Sequence, residues 1–368
     1  SWENFNRLMN ECAQALMDKA KAAGQEAYRG ADYDLAMATN LFGQVLFDAG
    51  QTATALGFFF ESHQLFVSLE KQGKRLASVT LARQADCLTD LGLLDEAAEL
   101  YSEAIKQTEE QENFRSMAVN KGQLATVHLL QEQYSKALVE YEEALIVFEG
   151  LNEPASLTAV WHQVSITYQK DGQYEQSEVA SRRALEISTI NYDLAGQARS
   201  LVQLGNLYDD CLHRQEEAIV FYRQSADIHI QLSDFRSEGI ARNNLAETLL
   251  KLKRYDEARS EILRAIECKY RLDNTVNIWI SLNILHDIEA AMGNHPVADA
   301  AWKQARDAYL AYRRQGGNAQ TAGGSLAEHI LTFAAQEKWE EIELQLKELS
   351  GAAQIPASGK HMIQTLNI

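Results

Sequence analysis

The stretch LARQADCLTDLGLLDEAAELYSEA, residues Leu81 to Ala104, carries the pattern that decides the fold. Two small residues, Ala85 and Ala97, stand twelve positions apart within it, with leucines between them and a tyrosine behind. Similar pairs return every 40 or 41 residues, at Ala125/Ala137, Ser165/Ser177, Gly205/Ala218 and Ala246/Ala258. Repetition at a fixed period of this length indicates a repeat architecture rather than one globular core.

Apolar side chains surround these small residues at helical spacing, which predicts amphipathic helices. Two antiparallel helices joined by a short turn approach closely only where neither presents a bulky side chain, so the paired small residues are expected at helix crossings. A single hairpin of this kind leaves an apolar stripe uncovered. Each hairpin is therefore expected to stack on its neighbours, as in a solenoid.

Four segments of the repeat resemble the tetratricopeptide repeat (TPR), in the 40-residue form found in kinesin light chains and bacterial signalling proteins. They read LGLLDEAAELYSEAI, QEQYSKALVEYEEAL, DGQYEQSEVASRRAL and LKRYDEARSEILRAI. The resemblance covers about residues 35–312 and implies an all-α fold, a right-handed superhelical TPR solenoid of stacked antiparallel helix pairs. The TPR is a scaffold with many uses, so the resemblance predicts the fold more strongly than the function.

The repeat pattern divides the chain into five expected segments. Residues 1–34 are expected to form N-terminal capping helices, followed by a solenoid of about seven repeats over 35–312. A glycine-rich connector over 313–325 precedes a C-terminal capping helix pair over 326–350 and an extended or disordered tail over 351–368. The fourth small pair is one residue wider than the others, and this insertion is expected to lengthen the turn near residues 210–215. In the last repeat His286 replaces the first small residue, where we expect a packing role.

The composition, 46% hydrophobic and 23% charged with a net charge of −18, suits a helical protein without a basic patch. Nucleic acid is therefore not an expected partner, and the acidic excess favours basic or neutral peptides. No apolar run is long enough for a transmembrane helix, so no membrane partner is expected. The N-terminal residues lack a signal-peptide pattern and the four cysteines are scattered, which predicts a cytoplasmic location.

Catalytic and metal-binding motifs do not occur in the sequence. It holds no phosphate-binding glycine loop, no GxSxG or HExxH motif, and no cysteine or histidine pairs at metal-ligand spacing. The acidic pairs lie where helix surfaces are expected. The sequence therefore predicts a non-enzymatic protein with no cofactor and no metal site.

One register position on the first helix of each pair stands out, two residues before the small residue. In TPR proteins this helix lines the concave groove, and kinesin light chains carry there an asparagine that contacts peptide backbone. A side-chain amide offers both a donor and an acceptor, so a row of amides can hold an extended peptide by its backbone. The alternative is that these are ordinary solvated helix residues. The candidate peptide-binding residues, with neighbours one turn away, are Arg83, Gln123, Gln163, Arg199, Gln203, Asn206 and Asn244.

Three functional hypotheses follow from the sequence. The leading one is an interaction scaffold that binds a peptide or protein segment in the concave groove. The second is a sensor or regulatory fragment of a bacterial signal-transduction NTPase or of a caspase-like protease system, acting on an effector domain or protein in trans. The third is a Rap-like, peptide-regulated phosphatase, which the short segment before the first repeat disfavours.

Overall fold

The structure of the chain is a computed structural model. It describes residues 30–271 and 278–314, together with positions 11, 14, 15, 17, 18, 21 and 22 of a preceding helical segment. Throughout these ranges the regular structure is helical, without any β-strand. In chain order the helices are α1 (Ala31–Asp48), α2 (Thr52–Ser68), α3 (Lys74–Asp90), α4 (Leu94–Glu110), α5 (Phe114–Leu130), α6 (Tyr134–Gly150), α7 (Pro154–Lys170), α8 (Tyr174–Ile190), α9 (Leu194–Asn206), a π-helix (Leu207–Cys211), α10 (Gln215–Leu232), α11 (Phe235–Lys251), α12 (Tyr255–Arg271), α13 (Ile278–Ala291) and α14 (His295–Arg314).

The chain forms two compact units, residues 1–203 and 204–368, a division that the repeat pattern did not predict. In the first unit α1 to α8 pack consecutively, and the first helices of successive pairs also touch, α3 against α5 and α5 against α7. In the second unit α10 to α14 pack consecutively, and α11 contacts α13. The all-α fold of packed antiparallel helix pairs is thereby confirmed.

The paired small residues lie at the helix crossings, as predicted. Ala85, Ala97, Ala125 and Ala137 are completely buried. In the next pair the two hydroxyls meet, because Ser165 Oγ and Ser177 Oγ lie 3.1 Å apart. Small size at these positions lets the helix backbones approach, and the two serines satisfy each other's hydrogen bonds inside the core.

The short turns between helices share one backbone conformation. Each turn that the structure describes contains a residue in the left-handed region, which is glycine at Gly92 and Gly172 but a bulkier residue at Glu132. After α3 the chain closes with a hydrogen bond from Leu93 N to Leu88 O of 2.9 Å, a common way of ending a helix. Pro154 occupies the first turn of α7, where its missing N–H costs nothing.

The extra residue of the fourth small pair is accommodated differently from our expectation. Residues Leu207–Cys211 form a π-helix at the end of α9, and Leu212 N donates to Leu207 O at 3.0 Å. A π-turn takes one more residue than an α-turn. The insertion therefore widens the end of the helix, where a longer loop had been predicted.

The expected segment boundaries stay predictions, because a helix end need not coincide with a repeat boundary. Helix α1 begins at Ala31, after Gly30 with a φ of 99°, and so precedes the predicted start of the repeats at residue 35. Helix α14 continues to Arg314, into the predicted connector. The rest of that connector, the predicted C-terminal helix pair, the tail and most of the N-terminal cap lie outside the described residues.

The predicted packing roles of cysteine and histidine can be checked at several positions. Cys87 and Cys268 are buried as small apolar residues, whereas Cys211 in the π-helix is half-buried. His286 is also half-buried, and its Nδ1 lies 3.0 Å from the carbonyl oxygen of Ala298. Because a carbonyl only accepts, Nδ1 carries the proton and donates it. This histidine thus bridges α13 and α14, as the packing interpretation requires.

Gly205→Ala is expected to lower the free energy of unfolding by about 1 to 3 kcal/mol, the usual cost of overpacking. A Cβ at Gly205 would lie 2.4 Å from the ring of the buried Tyr222. The matched control is Gly122→Ala, where a Cβ meets nothing within 4 Å. There alanine should stabilise the helix by about 0.5 to 1 kcal/mol. Urea unfolding of both variants measures the difference, and equal midpoints would contradict the close crossing.

Candidate functional site

Two grooves open between the first helices of successive pairs in the first unit. We call the one lined by α3, α4 and α5 the Arg83 groove, with a volume of about 320 Å³. The one lined by α5, α6, α7 and the start of α9 is the Arg199 groove, with a volume of about 290 Å³. Gln123 on α5 borders both grooves, so the predicted register does place amide side chains on this surface.

The Arg83 groove contains three charged residues. Arg83 Nη1 lies 3.6 Å from Asp86 Oδ2, and the hydroxyl of Tyr101 donates a hydrogen bond to the same carboxylate. Burial raises the pKa of Asp86, and the hydrogen bond from Tyr101 and the charge of Arg83 offset part of this increase. Arg115 pairs with Glu153 at 2.6 Å. The charges of this groove are therefore largely balanced by neighbours.

The Arg199 groove differs from it in charge and in polarity. The side chains of Gln123, Gln163, His162 and Arg199 provide polar groups at its edge, and none of the described residues lining it is acidic. Burial, followed by the charge of Arg199, lowers the pKa of His162 to about 4. The imidazole is thus neutral at pH 7, and Arg199 is the one charged group of the described lining.

The walls and the floor of the Arg199 groove are formed by residues that the sequence analysis had only partly singled out. Val119 and Ala159 stand one turn before Gln123 and Gln163 and line the groove with them. Thr126 Oγ1 and the Tyr141 hydroxyl lie 2.9 Å apart and hydrogen-bond each other at the floor. Sequence reasoning missed His162, although it directly precedes Gln163 on the same helix.

Gln203 does not have the exposed side chain that the sequence analysis predicted. It is only 6% exposed, and its Nε2 donates a hydrogen bond of 2.7 Å to Gln169 Oε1 on α7. The correction has a simple physical reason, since two glutamine amides that meet in a partly buried contact satisfy each other. Gln203 thus lies in a packed contact beside the groove.

In the second unit the two candidate asparagines contact each other. Asn206 Oδ1 accepts hydrogen bonds from the Tyr222 hydroxyl at 2.8 Å and from Asn244 Nδ2 at 3.1 Å. Close by, the buried Asp209 of the π-helix accepts from Thr248 Oγ1 and Lys251 Nζ, both at 2.8 Å. The structure therefore brings Asn206 and Asn244 together, and places them in a hydrogen-bonded network.

Metal-binding clusters are absent from the part of the chain that is described. There, no group of three or more histidine, cysteine, aspartate or glutamate side chains could hold a metal ion. Nor does any described helix combine the length and the apolar character needed to cross a membrane.

Comparison with known families identifies the repeats. Two models of the tetratricopeptide repeat match, one over residues 156–231 and one over residues 240–271. The chain therefore contains tetratricopeptide repeats, as the sequence pattern predicted. No curated protein sequence is detectably similar to it.

Solved structures resemble the chain at low sequence identity. A Signal Transduction ATPase with Numerous Domains (STAND) protein from Pyrococcus horikoshii, with a tetratricopeptide repeat sensor, matches at a TM-score of 0.59 and 14% identity, covering 82% of this chain and 46% of that protein. The apo form of RapI matches at a TM-score of 0.58 and 15% identity, and the match covers 90% of this chain and 99% of RapI. Aspartyl phosphate phosphatase F from Bacillus subtilis matches at a TM-score of 0.55 and 10% identity, and the match covers 80% of this chain and 79% of that protein. At these identities the matches support the fold alone.

Proposed function

We propose that this tetratricopeptide-repeat chain is a non-enzymatic scaffold that binds an extended peptide or protein segment along the groove surface of its first unit. The observation that carries the proposal is the position of Gln123 and Gln163, which border the same open groove from two successive first helices. Neither amide has a hydrogen bond to another described residue through its side chain. Both are therefore available to the N–H and C=O groups of a bound backbone.

Arg83 belongs to the same proposed surface, because it shares a groove with Gln123. Gln203 stands apart, since its amide already holds Gln169. In the second unit, Asn244 Nδ2 donates a hydrogen bond to Asn206 Oδ1. A ligand could hydrogen-bond the other side-chain atoms, Asn206 Nδ2 and Asn244 Oδ1. The proposed binding surface of the first unit thus rests on Arg83, Gln123, Gln163 and Arg199.

The double substitution Gln123→Ala/Gln163→Ala is expected to weaken peptide binding by about tenfold. Each amide lost removes a hydrogen bond worth about 0.5 to 1.5 kcal/mol, and about 1.4 kcal/mol is a factor of ten in affinity. The probe is the peptide that binds most tightly after selection from a random library against the whole chain. Its affinity for the parent protein and for the double variant is measured by calorimetry. Melting temperatures should stay level, because alanine has the better helix propensity at these exposed or half-exposed positions.

The matched control is the double substitution Glu142→Ala/Glu186→Ala, at exposed positions on the second helices α6 and α8. It should leave the affinity unchanged. If the glutamine double variant binds as tightly as the parent protein at unchanged stability, the amides do not hold the peptide.

A second candidate is a regulatory module that acts on an effector protein. The observation in its favour is the extent of the RapI match, which covers 90% of this chain and 99% of that chain, although the short segment before the first repeat disfavours a Rap-like protein. A phosphatase of this kind should accelerate loss of phosphate from a phospho-aspartyl receiver domain. An unchanged rate with receiver domains of several classes would favour the scaffold.

A further inference from the structure

The Arg199 groove holds a positive charge that nothing described around it balances. Arg199 is exposed near the start of α9 and makes no ion pair with any described residue. Two other exposed arginines of the first unit have carboxylate partners, although the exposed Arg75 has no ion pair with a described residue. Arg115 lies 2.6 Å from Glu153, and Arg183 lies 2.7 Å from Glu186. What distinguishes Arg199 is that it lines a groove whose described lining contains no acidic residue, in a chain of net charge −18.

The neighbour of Arg199 in the groove adds to this charge pattern. His162 lines the groove, and its Nδ1 is buried without a hydrogen-bond partner among the described residues. The charge of Arg199 contributes to the low pKa of this imidazole, which stays neutral at pH 7. His162 is therefore an uncharged polar group that does not compete with Arg199 for an anion.

The amides complete a set of donors around the guanidinium. Gln123 and Gln163 border the groove with Arg199, and each carries an NH₂ group that can donate to an oxygen. A carboxylate accepts several hydrogen bonds, and the planar guanidinium matches its two oxygens. A lysine or arginine side chain would instead meet a like charge here, with no acidic residue among the described lining to hold it.

The remaining lining fits the rest of a side chain. Val119, Phe148 and Val160 contribute apolar surface, which suits the methylene groups that carry a carboxylate. The groove volume of about 290 Å³ lies at the lower end of ligand sites and suits one or two side chains rather than a large cofactor. Apolar walls also strengthen the attraction between opposite charges, because they exclude water.

We propose that the Arg199 groove receives an aspartate or glutamate side chain of the bound peptide, with Arg199 as the charge partner and with Gln123 and Gln163 holding the adjacent backbone. This inference rests on the proposed function and adds the chemical class of the residue that is selected. It opposes the expectation from net charge, which favoured basic or neutral peptides.

The test is selection from a random peptide library in which acidic and basic residues are equally frequent, on the full chain and on two charge variants. The parent protein should enrich aspartate and glutamate at one position. Arg199→Glu should exchange that preference for lysine and arginine. The matched control Arg183→Glu, at an exposed arginine of α8, should keep the acidic preference.

A direct measurement uses one selected acidic peptide and its glutamine or asparagine analogue. Arg199→Gln should weaken binding of the acidic peptide by about tenfold or more, the usual effect of losing a hydrogen bond to a charged partner. The neutral analogue should hardly distinguish the parent from this variant. Arg199→Gln places a polar, uncharged side chain at an exposed position. It therefore still tests the proposal if Arg199→Glu lowers the melting temperature.

The outcomes separate the two proposals. Peptides selected without an acidic preference, or an acidic preference that survives both Arg199 variants, would overturn the charge inference and leave peptide binding standing. No enrichment of any peptide over a control matrix would overturn both.

Discussion

Glu238→Ala is expected to lower the free energy of unfolding of the second unit by about 3 to 5 kcal/mol, the effect of removing one partner from a buried ion pair. Glu238 on α11 is only 1% exposed. Its carboxylate accepts hydrogen bonds from Arg242 Nε at 2.9 Å and from Arg264 Nε at 3.0 Å. Without it, two partly buried guanidinium groups lose a common counter-ion.

Amide hydrogen exchange of α11 and α12 measures this loss in the second unit itself. The control is Asp227→Ala on α10, which removes an exposed carboxylate. It should change the opening free energy derived from exchange by no more than about 0.5 kcal/mol. Exchange of α11 and α12 that is equally fast in both variants would show that the Glu238 network contributes nothing to stability.

The same carboxylate gives the stability a dependence on pH. Burial by itself would raise the pKa of Glu238, but the hydrogen bonds from Arg264 and Arg242 outweigh it and hold the pKa below its ordinary value. A depressed pKa in the folded state contributes stability above the unfolded pKa of about 4.3, and this contribution disappears as the pH falls further. The stability difference between the parent protein and Glu238→Gln should therefore shrink from about pH 5 downward. A difference that stays constant down to the acid limit of folding would contradict this assignment.

Tyr222→Ala is expected to lower the free energy of unfolding by about 3 to 5 kcal/mol, the usual range for deleting a buried aromatic ring. The ring of Tyr222 is almost fully buried and packs against Gly205 at the crossing of α9 and α10. Tyr222→Phe removes only the hydroxyl that donates to Asn206, and should cost about 0.5 to 1.5 kcal/mol. Thermal or urea unfolding of the two variants separates packing from hydrogen bonding.

The relative losses of stability in these two variants show which part of Tyr222 stabilises the fold. Tyr222→Phe costing as much as Tyr222→Ala would place the stabilisation in the network of Asn206, and the packing of the ring against Gly205 would then contribute little. We expect the ring to contribute more than the hydroxyl.

The fold followed from the sequence because its signals are local and repeated. Helical spacing of apolar residues and small residues such as Ala125 and Ala137 at a fixed period specify pairs of crossing helices without long-range information. The π-helix at Leu207 was not foreseen, since one inserted residue can widen a helix end or lengthen a loop at similar cost. The division at residue 203 depends on contact density between repeats, which the period does not reveal.

The repeat register predicts which candidate residues lie at open grooves, but it does not predict the state of each side chain. The register placed Arg83, Gln123 and Gln163 at open grooves. It did not show that Gln203 is covered by Gln169, because that contact depends on the distance between α7 and α9. Net charge and the lining of the Arg199 groove lead to opposite expectations about the partner, because total charge does not say which residues line a groove.

The most direct test of peptide binding at the first unit follows the side-chain amides themselves. Glutamine side chains labelled with ¹⁵N report on Gln123 and Gln163 when the selected peptide is added to saturation. We predict that both NH₂ resonances shift, whereas those of Gln64 and Gln176, exposed on the second helices α2 and α8, stay in place. Shifts at Gln176 with unmoved Gln123 and Gln163 resonances would contradict binding in the grooves of the first helices.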